Sequence, residues 1–175
     1  MNWQDLLIDG YGRTHEVMKR ALNGMTRDDL DQQPHPDTNS MGWLAWHLSR
    51  LQDDHIASLM GEQQLWISEQ WHAKFGRPAD PKDVGFGHSP ADVAAFRSPD
   101  AQTLLAYYEA VLERTNRYIR SLSAEDLDRE LNEPWYQPLP TVGVRLVSVM
   151  SDNLQHVGQI AYVRGFLKGK GWQKF

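Results

Sequence analysis

Met25-Thr26-Arg27-Asp28-Asp29-Leu30-Asp31 finds an echo far downstream in Leu122-Ser123-Ala124-Glu125-Asp126-Leu127-Asp128. Each copy follows a long helical pattern and precedes a proline-bearing loop and a further helix. Thr26 with Asp29 three residues on resembles a capping box, with Asp where Glu or Gln is usual. Such a pair of punctuation marks describes two helical hairpins of one design. The expected fold is all-α, an up-down-down-up four-helix bundle with a long crossover between the second and third long helices.

Around these marks the apolar periodicity places four long helices. The first runs from Trp3 to Leu22, with Leu6, Leu7, Tyr11, Met18, Ala21 and Leu22 as its inward stripe. Asn39-Ser40 starts a second that continues from Met41 to Met60, where Gly61 can stop it; Leu44, His47, Leu48, Leu51, Ile56 and Leu59 point inward. Ser98-Pro99-Asp100 starts the third, with Pro at the first position, and it runs to Ser121. The fourth spans Val142 to Leu167. Between Gly61 and Pro99 the pattern is broken by Pro78, Pro81, Gly85, Gly87 and Pro90, leaving room for a short helix around Gln63–Lys74. The stretch has too few apolar residues for a core of its own, so residues 1–175 are expected to form one domain.

Composition narrows the function classes. With 41% hydrophobic and 23% charged residues the chain is globular in character. Its 18 basic and 23 acidic side chains leave a net charge of −5 without runs of one sign, so neither nucleic acid nor an anionic membrane is an expected partner. No apolar run approaches the ~18 residues of a membrane span. Met1-Asn2-Trp3-Gln4-Asp5 lacks the basic start and apolar block of a signal peptide, and a cytoplasmic location is expected. The absence of cysteine removes disulfides, zinc–thiolate sites and a cysteine nucleophile together.

The candidate chemistry lies on two helices. His47 sits among apolar residues in Gly42-Trp43-Leu44-Ala45-Trp46-His47-Leu48. Asp152 and His156 sit in Val149-Met150-Ser151-Asp152-Asn153-Leu154-Gln155-His156-Val157, four residues apart and so on one face, roughly 6 Å apart along the axis. A carboxylate on an apolar stripe is unfavourable unless paired, hydrogen-bonded or bound to a cation. Two His and one carboxylate would leave coordination positions open for water or substrate. For His47 alone a hydrogen-bonded core histidine is the plainer reading, and for Asp152 with His156 a metal-free pair serves equally well. Asp54 lies two turns past His47, about 10 Å along the axis, and can reach the same cavity or simply be solvated. His55 is turned roughly 80° from His47 and reads as packing or surface. Gln159 can orient a ligand or tether helices, and Arg164 can bind an anion or serve as a helix C-terminal cation. His15, His35, His72 and His88 carry no assignment. Trp43 and Trp46 flank the site but read as core.

Ser40-Met41-Gly42-Trp43-Leu44-Ala45-Trp46-His47-Leu48, followed by Asp53-Asp54-His55, resembles the second helix of the DinB/YfiT-like superfamily. Asp152-Asn153-Leu154-Gln155-His156-Val157-Gly158-Gln159-Ile160, followed by Arg164-Gly165, resembles its fourth. The motifs cover about two dozen residues and the layout nearly the whole chain. The resemblance implies a four-helix bundle binding a metal near one end, often dimeric. Its usual three-histidine ligand set falls on His47, Asp152 and His156. Asp152 departs from that pattern, as does the Glu of the mycothiol-dependent branch. An anionic ligand leaves the ion less net positive charge and its water a weaker acid. Zn, Ni, Fe and Mn all fit.

The resemblance further implies a metal-dependent transferase or isomerase working with a low-molecular-weight thiol on a small-molecule substrate, the metal presenting a thiolate to an electrophile. A hydrolase using water is the near variant. The other two readings are a non-catalytic bundle that binds metal or a small ligand, and a purely structural network of the three residues without metal.

Overall fold

A computed structural model describes residues 1–172. All its regular elements are helical: α1 (Trp3–Leu22), α2 (Arg27–Asp31), α3 (Met41–Met60), α4 (Leu65–Ser68), α5 (Trp71–Lys74), α6 (Pro90–Ala95), α7 (Ala101–Ser121), a 3-10 turn (Glu125–Asp128) and α8 (Val142–Lys168). The boundaries follow from local hydrogen-bond chemistry. Asn2 and Thr26 each close a capping box with the Asp three residues on, Asp5 and Asp29. Ser40 Oγ accepts from the Trp43 N–H at the head of α3, and Gly61, at φ +67°, ends that helix in the left-handed region.

Three expectations are corrected. The third long helix starts at Ala101, not at Pro99: Asp100 Oδ1 accepts from the Thr103 N–H at 2.7 Å, so Asp100 is the cap and Pro99 precedes it. The proline-at-first-position signature belongs instead to Ser89-Pro90-Ala91-Asp92, which opens α6 inside the crossover with a full capping box. The short helix expected over Gln63–Lys74 is two single turns, α4 and α5, separated at Gln70 with φ +56°. Leu6 is exposed, because at ~100° per residue it stands about 140° around α1 from Tyr11, whose face also carries the buried Met18 and Leu22.

The core falls into two apolar clusters. One gathers Met18, Leu22, Leu44, Trp46, Trp66, Tyr107 and Ile160; the other gathers Tyr11, Ile56, Ile119, Leu146 and Val149. Between them a buried polar chain crosses three helices: Asn153 Nδ2 donates to Gln52 Oε1, and Gln52 Nε2 donates to Thr115 Oγ1. Thr115 Oγ1 in turn donates to the Val111 carbonyl, and this run of bonds between side chains makes the register of α3, α7 and α8 costly to slip, although Asn153 Oδ1 has no partner among the described residues.

The crossover is fastened to this core by charge. The fully buried Asp53 carboxylate accepts from the N–H groups of Leu65 and Trp66, at 2.9 and 2.8 Å, and from the Tyr107 hydroxyl at 2.8 Å. Arg50 and Arg114 flank it at 3.6 and 3.5 Å. Arg50 also donates to the carbonyls of Pro81 and Asp83, so the strap that follows is carried across the middle of α3. That strap reaches His47.

Candidate metal centre

α3 and α8 make the most extensive helix pair, and their facing sides bring His47, Asp152 and His156 together. One ligand atom from each lies within 4.8 Å of the others. A tetrahedral ion with ~2.1 Å bonds spaces its donors about 3.4 Å apart, so the three atoms need draw in by at most about 1.4 Å. His156 Nε2 already stands 3.5 Å from Asp152 Oδ1, long for a hydrogen bond and close to that spacing. The imidazole rings of His47 and His156 meet edge to face, with centroids 4.8 Å apart.

Both histidines are held through Nδ1. His47 Nδ1 donates to the Val84 carbonyl at 2.5 Å, and His156 Nδ1 donates to Gln159 Oε1 at 2.8 Å. Each bond fixes the tautomer with the proton on Nδ1 and leaves the Nε2 lone pair free. Trp43 stacks on His47 at 4.8 Å between ring centroids, with planes 13° apart, which fixes the ring's tilt. Asp152 Oδ2 is buried without a hydrogen-bond partner among the described residues. An orphaned carboxylate oxygen beside two free imidazole lone pairs fits a cation, and this donor set matches a borderline divalent metal.

Burial lowers the proton affinity of His47, more than the Val84 bond raises it, so the ring is neutral at pH 7. Burial also works against protonation of His156, but the neighbouring Asp152 and the hydrogen bond to Gln159 outweigh it and raise its pKa. The two rings therefore differ: His47 is the weaker base and His156 the stronger, so a cation competes with a proton more at His156 than at His47.

Among the other candidates, Gln159 is brought to the site and orients His156. Asp54 accepts from Gln64 Nε2 at 2.6 Å, facing the crossover; burial raises its pKa, against the lowering effect of Arg50. Arg164 lies two turns beyond His156 and turns toward the Met25 sulfur. His55 packs under the Arg145 guanidinium, which pairs with Glu133. Burial, then Arg145, push His55 down to about 4.

Sequence reasoning missed the strap. The Val84 carbonyl is a backbone atom and leaves no side-chain signature. Beside it Gly85, at φ +85°, lies so close that an added Cβ would meet Trp43, Trp46 and His47. His88, which carried no assignment, accepts from Trp43 Nε1 at 3.1 Å and donates from Nε2 to Asp83, locking the strap to the indole that stacks on His47. The glycine pair around Phe86 was the available signal, though it marks a turn without saying what the turn holds.

No helix among the described residues is long and apolar enough to cross a membrane. A family model described as the DinB superfamily matches residues 11–160. The crystal structure of a conserved protein from Enterococcus faecalis superposes with a TM-score of 0.89 at 31% identity, covering 97% of this chain and 99% of that one. No curated protein matches the chain.

Proposed function

This chain belongs to the DinB superfamily, and from that premise we propose that it is a metal-dependent enzyme whose His47, Asp152 and His156 hold one divalent ion, Zn, Ni, Fe or Mn. The observation that carries the reading is the pairing of two Nδ1-tethered imidazoles with an orphaned carboxylate oxygen. A divalent ion bound there supplies Lewis acidity to a thiol or a water. With three protein ligands, coordination positions remain for that group and for the substrate.

The activity that fits best is transfer or isomerisation of a small electrophilic substrate with a low-molecular-weight thiol. The chain has no cysteine, so the sulfur nucleophile has to come from a cosubstrate. The residues around the site then have defined tasks. Val84 and Gln159 aim the two imidazoles, Trp43 holds the plane of His47, and the buried indoles of Trp43 and Trp46 keep water from the back of the site.

The same reading places the site on a single up-down-down-up bundle. Supporting this are contacts that run in step between α1 and α8 (Tyr11 with Leu146, then Met25 just past α1 with Arg164) and between α3 and α7 (Arg50 with Tyr107, then Asp53 with Arg114). Contacts run in opposite order between α3 and α8 (His47 with His156, His55 with Arg145). We further take the protein to be a cytoplasmic homodimer.

Elemental analysis of protein prepared without a histidine tag is the test, wild type beside His47→Ala and Asp152→Ala. About one metal per chain, lost in both variants, is expected, followed by thiol-dependent turnover in a screen of electrophiles. Turnover without thiol reassigns the chain to hydrolysis. Metal without turnover leaves a binding protein. A wild type that takes up none of the four metals overturns the site and the enzyme reading with it.

A further inference from the structure

The solvent side of α8 is unlike the rest of the surface. Between Val144 and Phe166 no exposed residue of the helix is charged, in a chain that is 23% charged. Val144, Val147, Leu154, Tyr162 and Phe166 are 42% to 75% exposed, and Ser151 and Gly158 complete the stripe at steps of three and four residues. It is about 33 Å long at 1.5 Å per residue. Its apolar area, on the order of 500 Å², is at the upper end of what a monomer leaves open. With the uncharged flank of Ser148, Gln155 and Gln159 it approaches the ~800 Å² per partner of a stable interface.

The order of residues along the stripe says what covers it. Read from both ends toward Leu154–Gln155, each aromatic side chain has a smaller one at the mirror position, Phe166 answering Val144 and Tyr162 answering Val147 and Ser148, and nearer the centre two small residues, Gly158 and Ser151, answer each other. A stripe that complements its own reversal is the requirement for a two-fold, isologous contact between antiparallel helices. Relief agrees with size. Tyr162 stands between two hollows, one of about 560 Å³ beside Gly158 and Gln159 and one of about 650 Å³ beside Gly165 and Phe166. Val147 and Val144 are the knobs at the mirror positions. Nothing lies within 4 Å of the Cβ position of Gly158 or Gly165, so a second helix can approach closely at both.

We propose that α8 is the homodimer interface, packed antiparallel on α8 of a second copy about an axis near Leu154–Gln155. This deepens the homodimeric reading above by naming its surface and does not depend on the metal. Tyr162 of one copy then lies beside Ser148 of the other, one turn from Asp152, so each copy walls the flank of its neighbour's metal centre.

Sedimentation velocity of the whole chain tests it, with Leu154→Glu and Gly158→Arg beside wild type; both positions are exposed, so the fold does not depend on them. Wild type is expected as a dimer, and each variant should weaken it at least ~30-fold. Because the chain lacks cysteine, Leu154→Cys supplies a lone thiol near the axis and should form a disulfide-linked dimer on mild oxidation, whereas Leu6→Cys, exposed on α1, should not. A dimer that survives both charged substitutions, or links as readily through position 6, overturns this surface while leaving a homodimer standing. A monomeric wild type overturns both.

Discussion

Replacing Gly85 by alanine probes the hold of the crossover on His47 most directly. At φ +85°, an L-residue costs about 1–2 kcal/mol. The new Cβ would stand 2.9 Å from Trp43 Cζ2, 2.9 Å from Trp46 Cζ3 and 3.0 Å from His47 Nδ1. Carbon contacts settle at ~3.5–4.0 Å, so the strap has to retreat by about 0.5–1 Å. The indoles cannot yield, since Trp46 is fully buried and Trp43 nearly so. The neighbouring bond from His47 to the Val84 carbonyl, 2.5 Å long, then lengthens to about 3–3.5 Å, and toward the long end of that range it no longer holds the ring. Together these effects amount to about 2–3 kcal/mol, a fall in Tm of roughly 5–10 °C for a chain of this size. Loss of the hydrogen bond that orients a ligand lowers metal affinity about 10–100-fold. Calorimetric titration of the apoprotein with zinc reads the affinity, and a thermal melt reads the stability. Gly87→Ala is the control: its φ is +80°, but its Cβ would meet nothing within 4 Å, so it bears the backbone strain without the displacement. The reasoning is refuted if Gly85→Ala binds zinc as tightly as wild type, or if Gly87→Ala loses as much affinity.

Gln159→Leu removes the acceptor of the His156 Nδ1–H and should weaken zinc about tenfold without lowering the Tm of the apoprotein; an unchanged affinity would leave Gln159 a helix-surface residue only. Asp53→Ala strips the counter-charge from two buried arginines and the cap from α4, a change expected to cost about 3–5 kcal/mol; a shift of urea midpoint equivalent to under 1 kcal/mol would contradict the view that it fastens the crossover. His55 is held down to about 4 from 6.5 by burial and then by Arg145, so the unfolded chain takes up a proton that the fold refuses. Stability should therefore fall as pH drops from 6.5 toward 4, by about 2 kcal/mol between pH 7 and 5 from this residue. His55→Asn should flatten that dependence in urea titrations at the two pH values, and an unaltered slope would assign it elsewhere.

What could be read from the sequence was local. Ser40 and Gly61 bound α3 because a hydroxyl cap and a left-handed glycine act within one turn of themselves. Asp152 and His156 share a face because four residues make about one helical turn, and the same arithmetic, applied strictly, puts Leu6 outside. The crossover shows where local signals mislead. By sequence alone Pro99 fits the first helical position, yet Asp100 caps α7 and Pro90 fills that role in α6. Both prolines follow a serine and have an aspartate within two residues, and only the hydrogen bonds actually made separate them.

The tertiary structure alone decided which helix sides face one another, and so joined His47 to residues far along the chain. It also set the Val84 carbonyl on His47 Nδ1 and the Gly85 backbone against two indoles. A carbonyl is the same at every position of the chain, so no pattern of side chains announces which one will aim a ligand. That choice belongs to packing, here to the Arg50 guanidinium, which holds the Pro81 and Asp83 carbonyls and so carries the strap across α3.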